Sequence, residues 1–241
     1  MLIAFPGQAS PIPRSPIALV ARLRETEHEL GPAIARWDKS NPPPSDVSEL
    51  ARDEQSVVRL VASKHALTRR VIRLDPAIAD DLVAQHDLAE LTASGPAPRA
   101  RLIVGRPAPA AALIRWYREA QARFGVRWQV LAAVNFVETA FDKVRNVSGS
   151  GAQGPMQFEP ATWRRYGLGG NVDNPHDAIL GAANFLAANH FQTDERGAIY
   201  HYNPSPLYVD AVIRYTRRIS RDPNAFFTYY CWRVHFRTRN G

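Results

Sequence analysis

Residues 128–158 read WQVLAAVNFVETAFDKVRNVSGSGAQGPMQF, and the first half of that stretch decides the fold class. Trp128, Leu131, Val134 and Phe141 recur at helical spacing, with Glu138 on the same stripe, so a helix is expected from about Arg127 to Phe141. Glu138 stands where the period calls for an apolar side chain. Burial there disfavours the ionised carboxylate and raises its pKa. A place about one turn from the helix C-terminus adds to this, because the helix dipole opposes negative charge at that end. A carboxylic acid that holds its proton near neutral pH is what general acid catalysis needs. The competing reading is a glutamate at the edge of the stripe, paired with Arg127, Lys143 or Arg145.

The second half is a loop. Ser148-Gly149-Ser150-Gly151-Ala152-Gln153-Gly154 carries enough glycine for backbone to approach a ligand closely. Pro155-Met156-Gln157-Phe158 is expected to be a short strand, giving a small β-hairpin at the cleft. Its glutamine is a polar handle between apolar neighbours, which suits a sugar ring bearing an N-acetyl group. The loop is neither GxGxxG nor GxxxxGK, so it is no phosphate cradle.

Working outward, the chain reads as mainly α. Residues 1–16 hold four prolines and form an irregular leader. Leu19, Leu23, Leu30 and Ile34 predict one or two helices over 17–37, broken at Gly31-Pro32. Asp46 with Glu49 predicts a helix start of the capping-box type, and apolar spacing continues to Leu74. Asp75-Pro76 predicts an N-cap followed by proline at the first helical position. The prolines and glycines of 94–109 mark the domain boundary. Beyond it, Leu113, Trp116, Tyr117, Ala120 and Phe124 form one helical face closed by Gly125. Asn174-Pro175 and Ser205-Pro206 open two further helices. The expected divisions are the leader at 1–16, a helical region with its linker at 17–103, a catalytic domain at 104–220, and an aromatic and basic C-terminal segment at 221–241.

Four blocks then line up in order. Val137-Glu138-Thr139-Ala140-Phe141 is followed by Ser148-x-x-Gly151-Ala152-x-Gly154-x-Met156-Gln157-Phe158-x-Pro160-x-Thr162-Trp163. After these come Asn174-Pro175-x-x-Ala178-Ile179 ahead of Ala182-Ala183-Asn184-Phe185-Leu186, and Tyr202-Asn203 ahead of Tyr208-Val209. This arrangement resembles the lytic transglycosylases, lysozyme-like enzymes that cut bacterial peptidoglycan. It covers about half the chain.

The resemblance implies a lysozyme-like α+β fold and a glycan lyase. One glutamate, matched by Glu138, would protonate the oxygen between N-acetylmuramic acid and N-acetylglucosamine. The same group would then act as base toward the sugar's own 6-hydroxyl, leaving a 1,6-anhydro end. Substrate contacts carried over by motif are Thr139, Ser148, Met156, Gln157, Tyr202 and Asn203. The chain departs from the family at His201 and at Pro204-Ser205-Pro206.

Ordinary glycosidases use two carboxylates. The candidates for a second are Asp142, expected to face water, Glu159 ahead of Pro160, Asp173 in a turn, and Asp177 as the third residue of its helix. The one-carboxylate mechanism is preferred. His176, His190 and His201 lack metal-site spacing, so no metal ligand set and no cofactor is expected. The lone Cys231 sits in an aromatic run and reads as a small buried hydrophobe rather than a nucleophile.

The chain has 241 residues, 30 basic against 23 acidic, and 45% apolar content. That excludes wholesale disorder, and no apolar run approaches the length of a membrane span. A single cysteine excludes an internal disulfide framework. The excess of positive charge, carried by basic residues of which all but three are arginine, favours an anionic partner. The expected partner is the glycan strand of peptidoglycan, bound by a monomer without nucleic acid. Peptidoglycan lies outside the cytoplasm, so a cell-wall, periplasmic or secreted location is expected, although no signal peptide is visible. Rival readings are a hydrolytic muramidase, a non-catalytic wall-binding module, and an arginine-rich nucleic-acid binder with Trp232, Arg233, Phe236 and Arg237 as its local hint.

Overall fold

The computed structural model describes residues 11–94 and 103–235. Half of the expected proline–glycine boundary, 95–102, lies outside the described residues, together with Phe236 and Arg237 and the first ten residues of the leader.

Eleven α-helices account for the described architecture. The first is α1, Pro16–Arg36, capped by Ser15, whose hydroxyl accepts from the Ala18 N–H. It runs unbroken through Pro32, contrary to the expected break at Gly31-Pro32. Proline in a helix interior costs about 3 kcal/mol. Leu19, Leu23, Leu30 and Ile34 lie on both sides of Pro32 and are all buried in one core, which outweighs that cost. Helix α2, Ser45–Ala62, starts one residue before Asp46, and Pro44 occupies the cap position without a side-chain bond. Asp46 accepts only from its neighbour Val47 N, so the expected capping box does not form. Helix α3, His65–Leu74, follows after a break at Ser63 and Lys64. Asp75 does cap, accepting from Ala77 N, but what it opens is a 3-10 turn at Pro76–Ile78 that leads into α4, Ala79–Ser94.

Helices α5, Ala110–Phe124, and α6, Trp128–Thr139, follow the sequence pattern closely. Gly125 closes α5 in the left-handed conformation. The other helices are α7, Pro160–Tyr166; α8, Pro175–Ala188; α9, Glu195–Tyr202; α10, Pro206–Arg221; and α11, Asn224–Cys231. Asn174 caps α8 and Ser205 caps α10, each through its side chain.

No strand forms among the described residues. The expected strand at Pro155–Phe158 is a tight reversal: Gly154 and Gln157 both have positive φ, and Gln153 and Phe158 exchange two backbone bonds across it. The chain turns back too quickly for a ladder to extend, so the expected β-hairpin is reduced to one isolated bridge.

Helix α10 organises the rest. It packs against α6 and also against α4 of the N-terminal helices. Its arginines face acids there. Asp80 pairs with Arg217 at 2.8 Å and Arg221 at 2.7 Å, while Arg218 reaches Glu27 at 2.7 Å and Asp81 at 3.1 Å. Of these, only Arg218–Asp81 is buried on both sides; removing one partner of that pair costs about 3–5 kcal/mol, because the other charge is left stranded. Helix α11 packs on α1, α2 and α6. Phe136 stacks on Tyr229, Phe141 meets Phe226 edge-on, and Trp37 meets both Phe227 and Tyr230. Gln55 and the Arg233 backbone exchange two hydrogen bonds, at 2.7 and 2.9 Å.

Candidate active site

Glu138 is the penultimate residue of α6, and the chain turns sharply just beyond it. Ala140, Phe141 and Asp142 all have φ between 50° and 69°. Left-handed backbone costs roughly 1–2 kcal/mol per non-glycine residue, so this run needs support. Thr139 supplies part of it. Its hydroxyl accepts from Asp142 N at 2.9 Å and donates to the Pro155 carbonyl at 2.6 Å. Asn135 Nδ2 donates to the same carbonyl at 2.8 Å, and its Oδ1 accepts from Tyr117 at 2.6 Å. Burial of the Phe141 ring supplies more. Helix end and loop are thereby fastened together directly beneath Glu138.

A cleft of about 470 Å³ opens over this support. Glu138 lines it, together with Ser148, Gln157, Tyr202 and Asn203. Thr139 and Met156 do not line it, and both are almost fully buried. Thr139 acts as the strut just described. Met156 presents its carbonyl to the Tyr202 hydroxyl at 2.7 Å.

Each lining side chain is held by its own element. Ser148 accepts from Ala152 N and lies 2.9 Å from the Ser150 hydroxyl, which closes the serine–glycine loop on itself. Gln157 is held by its Nε2 donating to the carbonyls of Gly154 and Asn146. Gly154 is required where it stands, since a Cβ there would lie 2.1 Å from the Val172 carbonyl oxygen and φ is +73°. Tyr202 ends α9, with its ring edge-on to Phe158 and Phe185. Asn203 follows in extended conformation as the C-cap.

The electrostatics centre on Glu138. Burial pushes its carboxyl up from the ordinary range to about 7, partly offset by a hydrogen bond from Tyr208. Tyr208 is buried on the first turn of α10 and donates to Glu138 Oε1 at 2.6 Å. None of the three basic residues weighed as ion-pair partners reaches Glu138. Arg127 pairs with Glu195, Arg145 with Asp142, and Lys143 donates to the carbonyls of Tyr230 and Trp232. A half-buried acid with no cation beside it holds a proton close to neutral pH, and its carboxylate can later take one back.

The other carboxylates separate in space. Glu159, at the N-terminus of α7, lines the same cleft as Glu138. Asp142 is not turned to water as expected. Its side chain is only 13% exposed and pairs with Arg145 at 3.0 Å. It lines a second cavity with Asp173, from which Glu138 is absent. Asp177 accepts from Asn171 N ahead of α8. His201 lines the cleft, whereas His176 pairs with Glu119. A larger cavity of about 550 Å³ lies elsewhere, lined by Lys143, Cys231 and the proline loops of 42–43 and 107–109. Burial drives the Cys231 thiol up to about 12, which makes it a poor nucleophile.

Sequence reading did not single out Tyr208, Asn135 or Tyr117 as functional side chains. Asn135 left a signal, as a polar residue inside the apolar run of α6. Tyr208 left none as a partner of Glu138, since 70 residues separate them.

Residues 115–224 match the family model described as the transglycosylase SLT domain. No curated protein and no solved structure matches the chain.

Proposed function

We propose that this chain, which carries a transglycosylase SLT domain of the lysozyme-like superfamily at residues 115–224, is a peptidoglycan lytic transglycosylase. Its substrate would be the β-1,4 bond between N-acetylmuramic acid and N-acetylglucosamine, and its product a 1,6-anhydromuramoyl end. The observation that carries the reading is Glu138: a half-buried carboxyl that titrates at about 7, in a cleft, with a tyrosine hydroxyl rather than a cation as its partner.

Protonated Glu138 gives its proton to the glycosidic oxygen as the bond to the muramoyl C1 breaks. The resulting carboxylate keeps the Tyr208 hydrogen bond and removes the proton of the 6-hydroxyl as that oxygen closes on C1. Atoms balance without water, so one carboxyl group is enough. Ser148, Gln157, Tyr202 and Asn203 are assigned to holding the sugars, with Thr139 and Met156 shaping the site from below. The catalytic unit is assigned to 104–220. A location outside the cytoplasm follows from the substrate, and no helix among the described residues is long and apolar enough to cross a membrane. The basic surface would help hold a monomer on an anionic wall.

Glu159 in the same cleft favours one alternative, hydrolysis with a second carboxylate activating water. Mass spectrometry of fragments released from purified peptidoglycan separates the two, using the wild type, Glu138→Gln and Glu159→Gln. Anhydro ends from the wild type and Glu159→Gln, but none from Glu138→Gln, are expected. Reducing ends that vanish in Glu159→Gln would establish the hydrolase. Tight wall binding without release by any of the three would make the protein a binding module.

A further inference from the structure

Away from the cleft, one buried cluster is short of positive charge. Glu27 of α1, Glu54 of α2 and Asp81 of α4 each bring a carboxylate oxygen to within 4.8 Å of the other two. Glu54 and Asp81 are each 3% exposed. The cation that faces them among the described residues is Arg218, whose Nη2 donates to Glu27 Oε1 at 2.7 Å and whose Nε donates to Asp81 Oδ2 at 3.1 Å. Its Nη1 is turned to Asp222. The Tyr229 hydroxyl donates to the other oxygen of Asp81. Glu54 Oε2 is buried without a formed hydrogen bond; the donor turned toward that carboxyl is the Trp232 indole, whose own N–H is likewise unpaired. Three carboxylates against one guanidinium leave two negative charges uncompensated in an interior that does not tolerate them.

We propose that Glu27, Glu54 and Asp81 form a binding site for a divalent, oxygen-preferring cation, Ca²⁺ in the first instance, at the junction of α1, α2 and α4. A purely carboxylate donor set selects hard cations over zinc or copper. Oxygens within 4.8 Å of one another can all reach a single ion at the ~2.3–2.6 Å bond lengths of calcium. One double charge cancels the local excess. Glu27, whose side chain is 33% exposed, gives the ion a way in from solvent and leaves room for water to complete the coordination shell. The bound ion would tie three N-terminal helices together and steady Asp81 in its grip on Arg218, and so on α10.

The competing occupant is a proton on Glu54. Burial, Asp81 and Glu27 all push that carboxyl well above its ordinary value, against Arg218 and the Trp232 indole. Thermal unfolding of the full chain, stripped with chelator and titrated with CaCl₂ or MgCl₂ at constant ionic strength and about pH 7.5, distinguishes the two. A saturable rise in Tm of several degrees is expected for the wild type, together with calorimetric binding of one ion per chain. Glu54→Gln keeps the shape of the side chain and should abolish the response without lowering the ion-free Tm. Glu27→Gln, at the partly exposed ligand, should weaken it at least tenfold. An unresponsive wild type would overturn the site, and so would an equal response in Glu54→Gln. Stability that climbs as pH falls and ignores both ions would also overturn it, by assigning the charge deficit to a proton.

Discussion

Tyr208→Phe removes the one oxygen that binds Glu138 from beside the cleft, at almost constant volume. That oxygen donates to Glu138 Oε1 at 2.6 Å from a buried ring, so its loss falls on the ionised form of the acid. A hydrogen bond to a charged group is worth about 1.5–3 kcal/mol, and about 1.36 kcal/mol corresponds to one pH unit. The Glu138 carboxyl, at about 7 with the bond in place, should therefore move up by about one to two pH units. In the proposed mechanism the reaction begins with the protonated acid, so the alkaline limb of kcat/KM follows that group. The wild type should lose activity as pH rises through about 7, and the variant only at higher pH. Turbidity loss of purified peptidoglycan, measured at substrate levels well below KM over about pH 5 to 9, gives both profiles. Thermal unfolding confirms that the variant is folded. An alkaline limb that stays in place or moves down would refute the reasoning, since either Glu138 would not be the titrating acid or Tyr208 would not stabilise its carboxylate.

The same group should mark stability. With its carboxyl raised to about 7, the folded chain holds a proton that the unfolded chain has already released. Stability is then fully present below the unfolded pKa and is lost as pH rises through the folded one. Glu138→Gln should accordingly exceed the wild type by roughly 2 kcal/mol at about pH 8, once its partial exposure is allowed for, and match it at about pH 4. Urea unfolding at the two pH values would show it, and a difference independent of pH would count against burial as the cause. Gly154→Ala should cost roughly 2 kcal/mol or more, because its Cβ meets the Val172 carbonyl oxygen, and should loosen Gln157. Calorimetry together with the turbidity assay would detect this, and a wild-type Tm would show that the loop adapts.

Much of the fold was legible because periodicity and caps coincide in α5, α6, α8 and α10. Gly125, Asn174 and Ser205 each stand at the end that the apolar pattern marks. Helices α7 and α9 escaped, since seven or eight residues hold too few turns to show a period. Helix α11 escaped because its aromatic side chains are buried on nearly every side, so no polar face alternates with them. Glu138 was legible as a charge on an apolar stripe, and so was the loop beside it. Its partner was not, because nothing local to Tyr208 announces a contact 70 residues away. The partners of the α10 arginines were hidden for the same reason, their acids lying as far as 191 residues upstream.

The layer of acids around α10 means that the unit defined by ancestry and the unit defined by cohesion are different objects. The stretch shared with the family runs over 115–224. Cut out at those limits, it would keep Arg217, Arg218 and Arg221 without Asp80, Asp81 and Glu27. It would also leave Phe136 and Phe141 without the rings of Tyr229, Trp232 and Phe226 that roof them. A graft of this domain onto another scaffold should therefore carry the helices on both flanks. Those flanks are the foundation on which Tyr208, and through it the proton of Glu138, stands.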